Sequence, residues 1–400
     1  MKALTTYIGC ILTAAWSIVF LPLIGAGQVR SIEFYTGNLQ FEADSSIDIP
    51  FSDTLSASSI RQFYTKMNTG SYQKVVNALL TYQTEHQLND WLYYQLVRKV
   101  AQHLSAKSEN YARYTLYKWF LMSKSGYDSR IAIRDDQIIL YIRSDEDIAE
   151  LPYFTIDKGT YICLNYHDYG KLFNIHQPYS LVDISIPEVY KGFCYKVTRL
   201  PEFKSEKYVE KAISFKYKGK GYHFNVKVNQ EVNDIFANYP IVDFGTYFNI
   251  PLSEETYKSL IPVLRQYVQG LSQEKGVEYL MRFTRYAFLY EDDRLIFGKE
   301  KRLSPEQTLM NKASDCDDRA ALFFYLVKEI YNLPMIALRF PTHLTIAVQF
   351  DRPIGERILY EGHYYSVCEP TPQATNLKLG EISEKHKQEQ YDVVYHYTPH

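Results

Sequence analysis

The sequence predicts an α+β protein, and three observations carry the prediction. Residues 56 to 125 repeat apolar side chains at helical spacing, residues from Arg130 to about Val228 read as short strands and hairpins, and an apolar helical run opening at Cys316 passes directly into strand-like sequence. At 400 residues the chain can bury more than one core. Hydrophobic residues make up 46% and charged ones 22%, with a formal net charge of -2. That balance excludes a disordered chain and offers no basic surface for nucleic acid. The 37 Tyr and 22 Phe favour aromatic-packed, strand-rich layers over helical repeats.

The organisation follows from these patterns. Lys2 and a nearly unbroken apolar stretch from Tyr7 to Ala26 form an export signal over residues 1–27. Cleavage near Ala26 or Gly27 would release a periplasmic or secreted protein, whereas the uncleaved stretch has the length of about twenty residues that anchors a chain in a bilayer. Residues 28–125 read as an extended arm followed by helices at Tyr72 to His86, Trp91 to Leu104 and Tyr111 to Met122. Residues 126–250 read as a β-rich accessory region. It holds a hairpin turning at Asp135-Asp136, two strands around Lys158-Gly159, and a hairpin through Lys218-Gly-Lys-Gly221. Residues 251–385 return to helices and then a small antiparallel sheet, and 386–400 read as a tail.

The chemistry concentrates between about 300 and 383. Ser304-Pro305-Glu306 has the form of a helix start, and Asp315 of a second one, placing Cys316 in the first turn. There the unpaired amides favour a thiolate, and the backbone N–H of Cys316 is free for an oxyanion. Asp317 and Asp318 oppose thiolate formation, so an imidazole has to activate the thiol. His343 opens a strand whose alternation sets His343, Thr345 and Ala347 on one face and Leu344, Ile346, Val348 and Phe350 on the apolar one. The same rule turns Glu369 toward that His and Cys368 into the core. The expectation is a Cys316 sulfur within hydrogen-bond reach of the imidazole.

An internal similarity runs at an offset of 205 residues. Tyr111 to Met122 and Ile131-Ala-Ile133 resemble Cys316 to Val327 and Ile336-Ala-Leu338, with Tyr111 in the place of Cys316 and Ile138 in that of His343. A chance likeness of two helix-strand units is the better explanation from the sequence.

The segments Ser-Asp-Cys-Asp-Asp-Arg, Thr-His-Leu-Thr-Ile-Ala-Val and Val-Cys-Glu-Pro-Thr together resemble the transglutaminase-like superfamily, over roughly residues 275 to 385. The resemblance implies a papain-like core with Cys316 as nucleophile, His343 as general base and acid, and Glu369 as orienting carboxylate. Ser314 stands where the family has Gly, and Glu369 where it has Asp. Tyr290 is the candidate for the second oxyanion donor, ahead of Gln307. The implied activity is cleavage or transfer of an amide in a peptide or protein, cell-wall peptide included, with a catalytically inactive envelope scaffold as the alternative.

No cofactor or metal is expected. Phosphate loop, dinucleotide fingerprint, nucleophile elbow and His-Glu-x-x-His are all missing from the sequence. Beyond Cys10, the cysteines Cys163, Cys194, Cys316 and Cys368 leave open two disulfides, a Cys163–Cys194 bridge, or free thiols.

Overall fold

A computed structural model describes residues 28–51, 54–174, 177–291 and 301–399. The apolar stretch read as an export signal, residues 1–27, lies outside the described residues. Among those described, no helix is long and apolar enough to cross a membrane. Helices and sheets are mixed along the chain, as an α+β protein requires.

The arm is a hairpin, Gln28–Phe34 with Gly37–Ala43, that lies on the helix Tyr72–Glu85. Four helices follow, Ala57–Thr69, Tyr72–Glu85, Asp90–Leu104 and Tyr111–Lys124. Three begin at the side-chain caps Ser56, Asn89 and Asn110, each satisfying an otherwise orphan amide. Beyond the first sheet the chain departs from the β-rich reading: residues 182–207 carry no long strand. The long hairpin Tyr208–Tyr217 with Lys220–Asn229 turns at Lys218 and Gly219, whose φ angles of 49° and 78° suit a tight primed turn.

Two five-stranded antiparallel sheets dominate the molecule, and they share one topology. The first follows the helix Tyr111–Lys124. Its strands Ser129–Arg134 and Gln137–Arg143 form the middle, Gly159–Cys163 and Tyr153–Ile156 extend one side, and Ser180–Leu181 closes the other. The second follows the helix Cys316–Tyr331. Met335–Phe340 and His343–Val348 form its middle, His363–Cys368 and Arg357–Tyr360 one side, and Asp392–Tyr397 the other. Helix, inner hairpin, outer hairpin and closing strand occur in the same order, with the same neighbours. The internal similarity of the sequence is therefore matched by two copies of one helix-plus-sheet unit.

Strand register refines which residues correspond. Asn110 and Asp315 are both N-caps, so Tyr111 and Cys316 hold the same place. Both inner hairpins turn over two residues, pairing Arg134 with Gln137 and Phe340 with His343. Gln137, not Ile138, thus stands at the position of His343; the one-residue slip from the 205 offset would turn the side chain to the opposite face. The outer hairpins pair Ile156 with Gly159 and Tyr360 with His363, which brings Asn165 onto Glu369. In the first unit Asn165 Nδ2 donates to Tyr111 Oη at 2.8 Å, and Tyr111 donates to Asp168 at 2.8 Å. A hydrogen-bonded Tyr–Asn–Asp cluster occupies the place where the second unit sets its thiol and carboxylate.

The last strand comes from residues read as a tail. Asp392–Tyr397 pairs with Met335–Phe340, and a short helix, Glu384–Lys387, precedes it. The segment thereby completes the second sheet. One continuous apolar core links the two units, from Ile32 and the helices through to Phe350 and Leu379.

Candidate active site

The site rests on a helix buried all round. Residues Asp318 through Val327 are all buried, enclosed by the sheet on one side and by the helices Glu254–Val268, Gln273–Tyr286 and Pro305–Met310 on others. Sequence periodicity anticipated one apolar face; the second layer of helices covers the rest. At the N-terminus Asp315 accepts from the amides of Asp317 and Asp318, and the Asp318 side chain accepts in return from the Asp315 amide. Such reciprocal capping fixes the entry angle of the chain and contributes about 1 kcal/mol. Asn332, with φ 51° and ψ 47°, ends the helix in the left-handed conformation.

Cys316 is the first residue of this helix and is partly buried. Its own amide has no hydrogen-bond partner among the described residues. The sulfur sits against the start of the strand His343–Val348, where the Leu344 backbone N–H donates toward it. Its side-chain hydrogen bond goes to Asp317 Oδ1 at 3.5 Å, and none to His343 forms among the described residues. Burial, followed by the carboxylates of Asp317 and Asp315, pushes the thiol well above the ordinary cysteine range. At rest the group is a neutral thiol, because these effects outweigh the helix terminus.

His343 and Glu369 meet as the alternation required. His343 Nε2 lies 2.7 Å from Glu369 Oε2, and both side chains are buried. The extra methylene of Glu is accommodated: Oε1 accepts from the Thr371 amide at 2.8 Å. The backbone is held as well, since Arg285 Nε donates to the Glu369 carbonyl at 3.0 Å and Nη2 does so too. With Nε2 engaged by the carboxylate, Nδ1 is the nitrogen left to exchange a proton. Leu344, Ile346, Val348 and Cys368 belong to the main core, and Ala347, Tyr365 and Val367 to a separate cluster on the other face.

Tyr290 lies close by. Leu289–Tyr290 pairs in parallel with Ala313–Ser314, setting Tyr290 opposite Ser314, two residues before Cys316. The Arg319 guanidinium is 5.9 Å from the centre of its ring. Gln307 is committed elsewhere: it closes a capping box with Ser304 and donates to Asn233 at 3.1 Å.

Three supporting residues escaped the sequence reading. His386 stacks on His343 with ring centres 4.7 Å apart and planes 3° from parallel, and it also stacks on Phe340 at 4.8 Å. Arg285 ties Glu369 to the 376–377 segment through the Leu377 carbonyl at 2.8 Å. Arg319 binds the carbonyls of Thr284, Arg285 and Phe288 at 3.1, 2.8 and 3.0 Å, fixing the helix end that leads to Tyr290. The run Cys-Asp-Asp-Arg held a signal for Arg319, because a charged residue inside an apolar helix needs buried partners. Nothing in Glu384-Lys-His-Lys marks His386.

The remaining cysteines among the described residues are free thiols, with Cys163 and Cys368 buried and Cys194 exposed. A Cys163–Cys194 bridge is thus not formed. Cys194 instead points its sulfur at Glu146, 3.0 Å away. A scan of the chain against protein-family models finds no match, and searches of curated proteins and of solved structures find none either.

Proposed function

We propose that the chain is a thiol enzyme with a papain-type core of the transglutaminase-like kind, cleaving or transferring an amide bond of a peptide or protein. One observation carries the reading: the buried His343–Glu369 pair, 2.7 Å apart, stands at the strand start against which the Cys316 sulfur lies. In the reaction the Cys316 sulfur bonds to the amide carbon while its proton passes to His343 Nδ1. The carbonyl oxygen takes the charge and is met by the Cys316 amide, with Tyr290 as the candidate for the second donor. His343 then protonates the leaving amine as the carbon–nitrogen bond breaks. Water, or a second amine, next attacks the thioester and restores the thiol. Glu369 holds the imidazole in one tautomer and balances its transient charge.

The apolar N-terminal stretch supports an exported or membrane-anchored enzyme, for which cell-wall peptide is a fitting substrate. An inactive envelope scaffold on the same fold is the second reading. It is favoured by the thiol's bond to Asp317 in place of His343.

Labelling by a thiol-reactive probe near neutral pH separates the two. The enzyme reading expects labelling of Cys316 in addition to the exposed Cys194, read by mass spectrometry of the Cys316 peptide, lost in Cys316→Ala and kept in Cys368→Ala, together with release of amine from a peptide library. Absent labelling, or equal labelling of both variants, favours the scaffold.

A further inference from the structure

The two units treat one face of their sheets differently. In the second, the face turned away from the Cys316–Tyr331 helix is covered by the chain itself, with Ile382 and His386 against a cluster that includes Leu338, Phe340 and Val367. In the first, the same face opens as a cleft of about 890 Å³ between the strands and residues 166–174 and 177–181. Six aromatic rings line it: Tyr141, Tyr153, Phe154, Tyr166, Phe173 and Tyr179.

The cleft's polar groups narrow its ligand. Tyr141, 6% exposed, lines the cleft, and its hydroxyl, not sealed from solvent there, makes no hydrogen bond within the protein among the described residues. A phenol that reaches solvent without a protein partner is free to donate to or accept from a ligand. The hydroxyls of Tyr153 and Tyr166, in the same cleft, likewise have no partner among the described residues. Tyr179 differs, being held by Arg134 and Gln137 at 2.9 and 2.7 Å. Among the described lining residues the one ionisable group apart from the phenols is Glu150, with Thr155, Asn174 and Gln177 as neutral polar neighbours.

We infer that this cleft binds an uncharged saccharide. Flat rings stack on the C–H faces of sugar rings, unpaired hydroxyls pair with sugar hydroxyls, and the volume falls in the range that encloses a small ligand, about 300–1,000 Å³. An acyl chain would leave the Tyr141, Tyr153 and Tyr166 hydroxyls unmet, and an anion would meet Glu150 with no cation among the described lining residues. This site is separate from the thiol chemistry and stands or falls without it.

The test is a glycan array probed with the full chain, followed by calorimetry on the best neutral hit, with laurate and a heparin tetrasaccharide as comparators. Tyr141→Phe keeps the ring and removes the hydroxyl, and should weaken binding about three- to tenfold. Tyr153→Ala, at a side chain 65% exposed, should weaken it about tenfold while leaving the melting temperature unchanged. Cys316→Ala should bind as wild type. No neutral glycan bound across the array, binding indifferent to both tyrosine substitutions, or a preference for laurate or the heparin tetrasaccharide would overturn the inference.

Discussion

His386 lies flat on His343, with ring centres 4.7 Å apart and planes within 3° of parallel. Two imidazoles in that arrangement are disfavoured when both carry charge. Burial first, and then the field of His343, lower the pKa of His386; Glu369 and Glu389 act the other way, and Lys385 adds to the lowering. A group whose folded pKa is depressed contributes stability above its unfolded value, about 6.5 for His, and loses it as pH falls through the folded value. The melting temperature should therefore drop from pH 7 toward pH 5. His103 and His167, also depressed, share in that loss, His167 down to about 4. His386→Phe keeps a ring against His343 and should flatten the acid side of the curve relative to wild type, and unchanged pH slopes would show that the stack carries no such linkage.

Asp317 raises the pKa of the Cys316 thiol and accepts its hydrogen bond at 3.5 Å. Asp317→Asn should remove that opposition and speed alkylation of Cys316 severalfold at pH 7.5, followed by mass spectrometry of the modified peptide. Wild-type alkylation should continue to accelerate toward alkaline pH, because the thiol titrates above the ordinary range. A rate already level at neutral pH would indicate a preformed thiolate.

Glu369 serves His343 and the Thr371 amide with its two carboxylate oxygens. The shorter Glu369→Asp cannot serve both from the same backbone position. A misplacement on the order of 1 Å lowers turnover by about a hundredfold. Steady-state kinetics on a peptide amide should show that loss mainly in kcat, with KM little changed.

Arg319 satisfies three carbonyls at the end of the Gln273–Tyr286 helix from a fully buried position. Arg319→Met would leave those acceptors without a donor, costing about 3 to 5 kcal/mol in chemical denaturation. Arg319→Lys should recover only part, since an ammonium cannot reproduce the planar fork. Full stability in either variant would show that water replaces the guanidinium.

The elements of the second unit were legible because local signals agreed: caps at Ser304 and Asp315, a stop at Asn332, and strict alternation through His343 and Glu369. Alternation also foresaw Cys368 in the core and Glu369 beside the His. What escaped was non-local. The strand Asp392–Tyr397 pairs with residues more than fifty positions earlier, and His386 acquires its role only when that return brings it over Phe340 and His343. The duplicated unit left a trace as an offset of 205 that the sequence reading attributed rather to chance, and which residues correspond depended on turn register, which sequence similarity does not fix to one residue. The thiol bonds to Asp317 where the sequence reading expected His343, because alternation and capping place the Cys316 backbone and not the turn of its side chain.

The central claim is that His343 activates Cys316. Its most direct measurement is the alkylation rate of Cys316 at pH 7.5 in wild type and in His343→Ala, both shown to be folded by melting temperature. The account predicts a rate at least about tenfold lower without the imidazole, the low end of the range for a positioned general base. Equal rates in the two proteins would contradict it.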